Sequence, residues 1–135
     1  MKAWESYESS HLVKAIDTCV QFFGDHPDWT PLRRRFLNKE MNGCCGLTAI
    51  LFQLVGIQPY VDEHMYAPNN YEMVFRGLSD LASSGQLRFD KNGFMHGWDG
   101  MTEEEMEYER KKGKLNSFTS EAFHAGVEAW SKVSV

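Results

Sequence analysis

The chain has 135 residues, 42% of them hydrophobic and 13% aromatic, and a net charge of −5. A single globular domain of this size buries roughly two-thirds of its unfolded surface, so its core needs no metal or disulfide, and such a composition excludes a disordered chain. The acidic balance opposes non-specific attraction to nucleic acid or anionic membrane, and no apolar run reaches the roughly 18 residues of a spanning helix.

Taken in order, the first element is a helix over about 9–23, with Leu12, Ile16, Cys19 or Val20, and Phe23 at helical spacing and Gly24 as its cap. Thr30 followed by Pro31 predicts a second helix carrying Arg33, Arg34, Arg35 and Lys39 around Leu32 and Phe36. A third, over about 44–55, is apolar nearly all round and is expected to be the central buried element. A long connection over 56–68 follows. Asn69 with Glu72 reads as a capping box for a fourth helix, ending at Gly85.

The period then changes from 3.6 to 2. Leu87 and Phe89 alternate with polar residues, Asp90-Lys91-Asn92-Gly93 reads as a turn, and Phe94, His96 and Trp98 alternate again, which predicts a β-hairpin. Thr102 with Glu105 is a capping box, with Met101 and Met106 as its hydrophobic staple, opening a polar helix. A last helix over about 119–132 places Phe123, Val127 and Trp130 on one stripe. The fold class expected is therefore mainly α (α+β), with about six helices and one β-hairpin.

The order of the third helix, the fourth helix and the hairpin, with the string Leu78-x-x-Leu81-x-x-x-Gly85-x-Leu87, resembles the passage from recognition helix to wing in winged helix-turn-helix proteins. That resemblance implies a winged-helix-like middle and exposure of the fourth helix, including Arg76, to a major groove. Glu72 and Asp80 on the same helix would repel phosphates. Shape by itself does not assign function.

The run Asn42-Gly43-Cys44-Cys45-Gly46-Leu47 puts cysteine at a helix start, where free N–H groups and the dipole favour a thiolate. With Gly56-Ile57 it locally resembles the nucleophile helix of NlpC/P60-type (papain-like) peptidases, in which an Asp-Cys-Ser-Gly run opens an apolar helix. Gly43 stands here in place of the aspartate and Cys45 in place of the serine. The resemblance implies a cysteine hydrolase with Cys44 as nucleophile, His96 as base and Asp99 as orienter. The bland reading is that Cys44, Leu47 and Leu51, at i, i+3 and i+7, are core residues, as free cysteine commonly is.

Other features point to binding. Arg33, Arg34, Arg35 and Lys39 suit phosphate or an acidic partner, although consecutive helical residues diverge by about 100° and form no single stripe, and a solvated face is the bland reading. Trp98, in a glycine-flanked run, suits an interface anchor, with a core-filling tryptophan as the bland reading. The acidic stretch Glu103 to Glu109 reads as a capped exposed helix or a dock for a basic protein. The five histidines and three cysteines have no paired ligand spacing, and Glu121-x-x-His124 lacks the second copy a di-iron site needs, so no metal is expected. No phosphate loop or nucleophile elbow is present, and no cofactor is expected. Cys19, Cys44 and Cys45 lack a C-x-x-C pair and read as reduced cytoplasmic thiols. The expectation is a small non-enzymatic binding or regulatory module acting on a protein or nucleic-acid partner. The cysteine hydrolase is the alternative.

Overall fold

Helical spacing and capping are realised along most of the chain. A computed structural model describes residues 9–38, 40, 42–57, 70–111 and 119–134. Its helices are α1 (Ser9–Asp25), α2 (Gly46–Val55), α3 (Asn70–Ser83), α4 (Lys91–Trp98), α5 (Glu103–Lys111) and α6 (Ser120–Val133). Two short strands, β1 (Thr30–Pro31) and β2 (Gly43–Cys44), pair in parallel with Thr30 opposite Gly43 and Pro31 opposite Cys44. The expected mainly helical fold with some β structure is what forms. None of the helices among the described residues is long and apolar enough to cross a membrane.

Buried α2 is the centre. Every residue from Gly46 to Phe52 is buried, with α1 packed against it and α6 packed against α1. Phe22, Trp29 and Phe52 meet edge-on or tilted at 5.6–6.2 Å between ring centres, the geometry aromatic quadrupoles favour. Gly24 lies inside α1 and does not cap it. Gly85 does end its helix: with φ 80 it lets the Gln86 and Leu87 N–H groups return to the Leu81 carbonyl. The connection expected over 56–68, and Asn69 of the expected capping box, lie almost wholly outside the described residues.

Two expected elements are replaced. The helix predicted from Thr30 does not form. Its backbone groups turn to the 42–44 segment instead, with Thr30 N–H donating to Asn42 O (2.8 Å) and Leu32 N–H to Cys44 O (2.9 Å). Asn38 closes the loop, its Oδ1 accepting from the N–H groups of Asn42 and Gly43 at 3.0 Å each. Tertiary pairing here overrides a good local cap.

The hairpin is also absent, and with it the wing and the winged-helix-like middle. Leu87 and Phe89, outside any helix or strand, are buried while Arg88 is exposed, so the alternation is real. Their strand partner is missing because side chains of α1 take its place: Arg88 N–H donates to His11 Nδ1 (2.7 Å) and Lys14 Nζ to Gln86 O (2.7 Å). The segment expected as the second strand is α4. Phe94 and Trp98 satisfy a period of 2, yet at i and i+4 they equally mark one helix face. Asp90 decides the matter by capping that helix, its Oδ1 accepting from Gly93 N–H at 3.1 Å.

Helix α4 packs face to face on α6 through small residues. A Cβ on Gly97 would overlap the Phe123 carbonyl, one on Gly126 would overlap the Phe94 carbonyl, and one on Gly93 would lie 2.8 Å from the Ala122 Cβ. Gly93-x-x-x-Gly97 thus faces Ala122-x-x-x-Gly126, a small-residue spacing that lets two helix backbones touch. This seating turns Val127 outward (42% exposed) and buries Ala125, Gly126 and Ala129, correcting the stripe expected for the last helix. The other oxygen of Asp90 accepts from Thr119 N–H at 2.5 Å, beside the start of α6, so one carboxylate serves the beginnings of both helices. Thr102 and Glu105 form the expected reciprocal box on α5 at 3.1 Å in each direction.

Gly97→Ala is expected to cost about 3 kcal/mol or more in urea denaturation, since a backbone carbonyl must move to admit the methyl group. Gly24→Ala, with nothing within 4 Å of its Cβ position, should instead be neutral or gain up to about 1 kcal/mol. Asp90 gives a pH signature. It is 3% exposed, and burial raises its carboxyl above 3.8 despite the N–H groups that favour the anion. The folded chain therefore keeps a proton that the unfolded chain releases, and stability from this residue falls as pH rises from about 4 through the folded value. The stability advantage of wild type over Asp90→Ala, read from urea midpoints, should be larger at pH 4 than at pH 7.

Candidate functional site

The three consecutive arginines are not on a helix, and that changes what they can do. Arg34 adopts φ 61, a left-handed conformation uncommon outside glycine. Its N–H donates to Asp99 Oδ1 at 2.8 Å. On one side, Arg33 Nε donates to the Trp98 carbonyl (2.8 Å), and its guanidinium lies 4.1 Å from the centre of a Trp130 ring. Trp98 Nε1 in turn donates to the Leu32 carbonyl (2.6 Å). The last carbonyls of a helix lack partners within it and form its negative end, so a guanidinium there satisfies both needs. The 32–34 turn is thereby strapped to the end of α4.

Beside this strap is a cavity of about 250 Å³ lined by Arg34, Arg35, Phe36, Cys45, Met95 and Asp99. With Arg34 left-handed and the segment not helical, two adjacent arginines line one cleft. Both are exposed, and among the described residues no carboxylate lies within ion-pair distance of either. Asp99 caps α4 and lines the same cleft. Burial raises its carboxyl, while the Arg34 N–H, His96 and the Arg34 and Arg33 charges oppose the rise.

The sulfur atoms are held neutral. Cys44 has 0% exposure and Cys45 3%. The N-cap of α2 is Cys45, not Cys44, so the expected helix-start thiol is the second of the pair. Cys45 Sγ lies 3.4 Å from Thr48 Oγ1. Burial nevertheless pushes the Cys45 thiol up to about 11, against the lowering effect of Thr48 and the Thr48 and Leu47 amides. Cys44 is driven well above its ordinary value by burial and by the neighbouring Cys45 and Cys19. All three cysteines are free. His96 is half-buried on α4, and burial favours its neutral form over the pull of Asp99, Asp90 and Glu109. The nucleophile it was expected to serve, Cys44, has no surface to offer a substrate.

Of the predicted residues, Arg34, Arg35 and Asp99 line one cleft, while His96, near enough to Asp99 for their charges to interact, does not line it. Arg33 is used by the strap. Arg76 is exposed on α3 and does not line the cleft. Trp98, expected as an interface anchor, is 1% exposed, stacking on Phe23 and edge-on to Trp130. Lys39 lies outside the described residues. Phe36, Met95 and Cys45 were not predicted as site residues. Nothing local marks them, because they meet only through left-handed Arg34 and the helical form of 91–98. An open acidic groove of about 580 Å³ runs along α5, lined by Met101, Glu104, Glu105, Tyr108 and Glu109. His124 pairs with Glu103, and no three His, Cys, Asp or Glu among the described residues are arranged to hold a metal. In comparisons with family models, curated proteins and solved structures, nothing matches the chain.

All three thiols are expected to resist iodoacetamide in the folded protein at neutral pH, at least roughly a hundredfold more slowly labelled than in urea. Cys45, on the cleft, should be the first to react. Fast labelling of Cys44 near pH 6, slowed by His96→Ala, would restore the hydrolase reading.

Proposed function

We propose that this chain is a non-enzymatic binding module that engages an acidic segment of a protein partner through the Arg34–Arg35 cleft. The observation that carries the reading is a pair of adjacent exposed arginines, the first with a left-handed backbone, that line one cavity. Guanidinium groups bind carboxylates through paired, planar hydrogen bonds, and two side by side suit a carboxylate-bearing ligand. Arg34 holds a conformation that costs on the order of 1–3 kcal/mol, and such outliers concentrate at functional positions. A protein is favoured over nucleic acid because the net charge of −5 and Asp99 on the cleft oppose a run of phosphates more than one or two carboxylates, and two arginines can neutralise only the latter. A cytoplasmic setting belongs to the same reading, supported by three cysteines that remain reduced.

Immobilised wild type and Arg34→Glu/Arg35→Glu protein, exposed to the same lysate, test it. Wild type should retain a protein that the charge-reversed variant does not, with retention falling as salt rises. Equal retention by both would sink the proposal. A salt-sensitive mobility shift of duplex DNA by wild type, lost in the variant, would replace it with the nucleic-acid reading.

A further inference from the structure

The cleft carries opposite charges within one small volume, and this narrows what fits. At about 250 Å³ it falls just below the roughly 300–1,000 Å³ of ordinary small-molecule pockets, room for one residue and not for a length of helix or strand. Arg34 and Arg35 line it with two cationic side chains. Asp99 stands on the same cavity with one oxygen engaged by the Arg34 N–H. A carboxylate has about four acceptor sites on its two oxygens, so one such bond leaves capacity for a further donor. Phe36 and Met95 add two half-buried apolar surfaces.

A simple oxyanion would gain the arginines but face the Asp99 charge with nothing to give it. The ligand must present an anion and an N–H donor a few ångströms apart, with an apolar group between the two half-buried surfaces. We propose that the cleft takes the free C-terminal residue of a partner chain. The terminal carboxylate lies between Arg34 and Arg35, the last amide N–H donates to Asp99, and an apolar side chain rests against Phe36 and Met95. Capture of a chain terminus by fixed donors is a recurring mode of peptide recognition. The proposal rests on the binding-module reading above and specifies which part of the partner is read. Arg33 has no part in it, since its guanidinium is held by Trp98 and Trp130.

The test uses the full chain, labelled with nitrogen-15, titrated with N-acetyl-Ala-Ala-Leu as the free acid, with the same peptide as its C-terminal amide, and with inorganic phosphate. The free acid should move the amide signals of Arg34, Arg35 and Asp99 saturably below about 10 mM. The amide and phosphate should bind at least tenfold more weakly, and Arg35→Gln should lose about tenfold with the rest of the spectrum unchanged. Equal binding of acid and amide, phosphate as tight as the acid, or no shift from the acid would each overturn the terminus proposal. If arginine-dependent retention of a protein persists after such a result, the module reading stands and the terminus reading alone falls. If retention is also lost, both fall.

Discussion

The contact on which the site depends is the approach of α4 to α6, backbone against backbone, at Gly93, Gly97, Ala122 and Gly126. Close-packed interiors cannot absorb an extra methyl group where a carbonyl already fills the space. That seating fixes where α4 ends, and so where the Trp98 carbonyl and the Asp99 carboxylate stand. Arg33 reaches the first and the Arg34 N–H the second. The cleft is thus set by an interface whose residues do not line it. Asp90 secures the other end of the same interface through Gly93 and Thr119.

Why the α2 cysteines are inert follows from competing magnitudes. A helix N-terminus favours a nearby anion by up to about 2 kcal/mol. Removing an ion from water without a partner charge costs several kcal/mol. Cys45 has the helix amides and the Thr48 hydroxyl in its favour, and burial still outweighs them. Cys44 is deeper, with two other thiols as neighbours. Placement at a helix start therefore makes a nucleophile only when solvent or a cation reaches the sulfur, and in this fold the core reaches it first.

Much of the scaffold was legible in residue order. The apolar stretch after Gly46 was expected to be interior and is so as far as Phe52, Gly85 ends its helix as expected, and Thr102 with Glu105 announced its capping box three residues apart. The failures share one cause: a short apolar set compatible with two periods. Phe94 and Trp98 fit a strand and a helix alike, and Gly93 read as a turn residue when it was a contact residue. The pairing with Ala122 and Gly126, about 30 residues on, carries the information that separates the two, and no local pattern contains it. Thr30-Pro31 failed for a related reason, since its cap competes with a strand partner 13 residues away. Of the site, the arginines and Asp99 were visible as residue types. Their meeting was not, because it depends on both misread segments.

The arginine run shows how one backbone torsion divides labour among identical side chains. On a helix, Arg33, Arg34 and Arg35 would diverge by about 100° each and act as separate surface charges. With Arg34 left-handed, Arg33 meets Trp98 and Trp130, while Arg34 and Arg35 line the cleft. The Asp99 carboxylate binds the backbone N–H of Arg34 rather than a guanidinium. A salt bridge in its place would have neutralised the cleft. Held by its main chain, Arg34 forms no ion pair with a described carboxylate, although Asp99 and Glu105 both feel its charge, and the negative group that fixes the turn also lines the cavity.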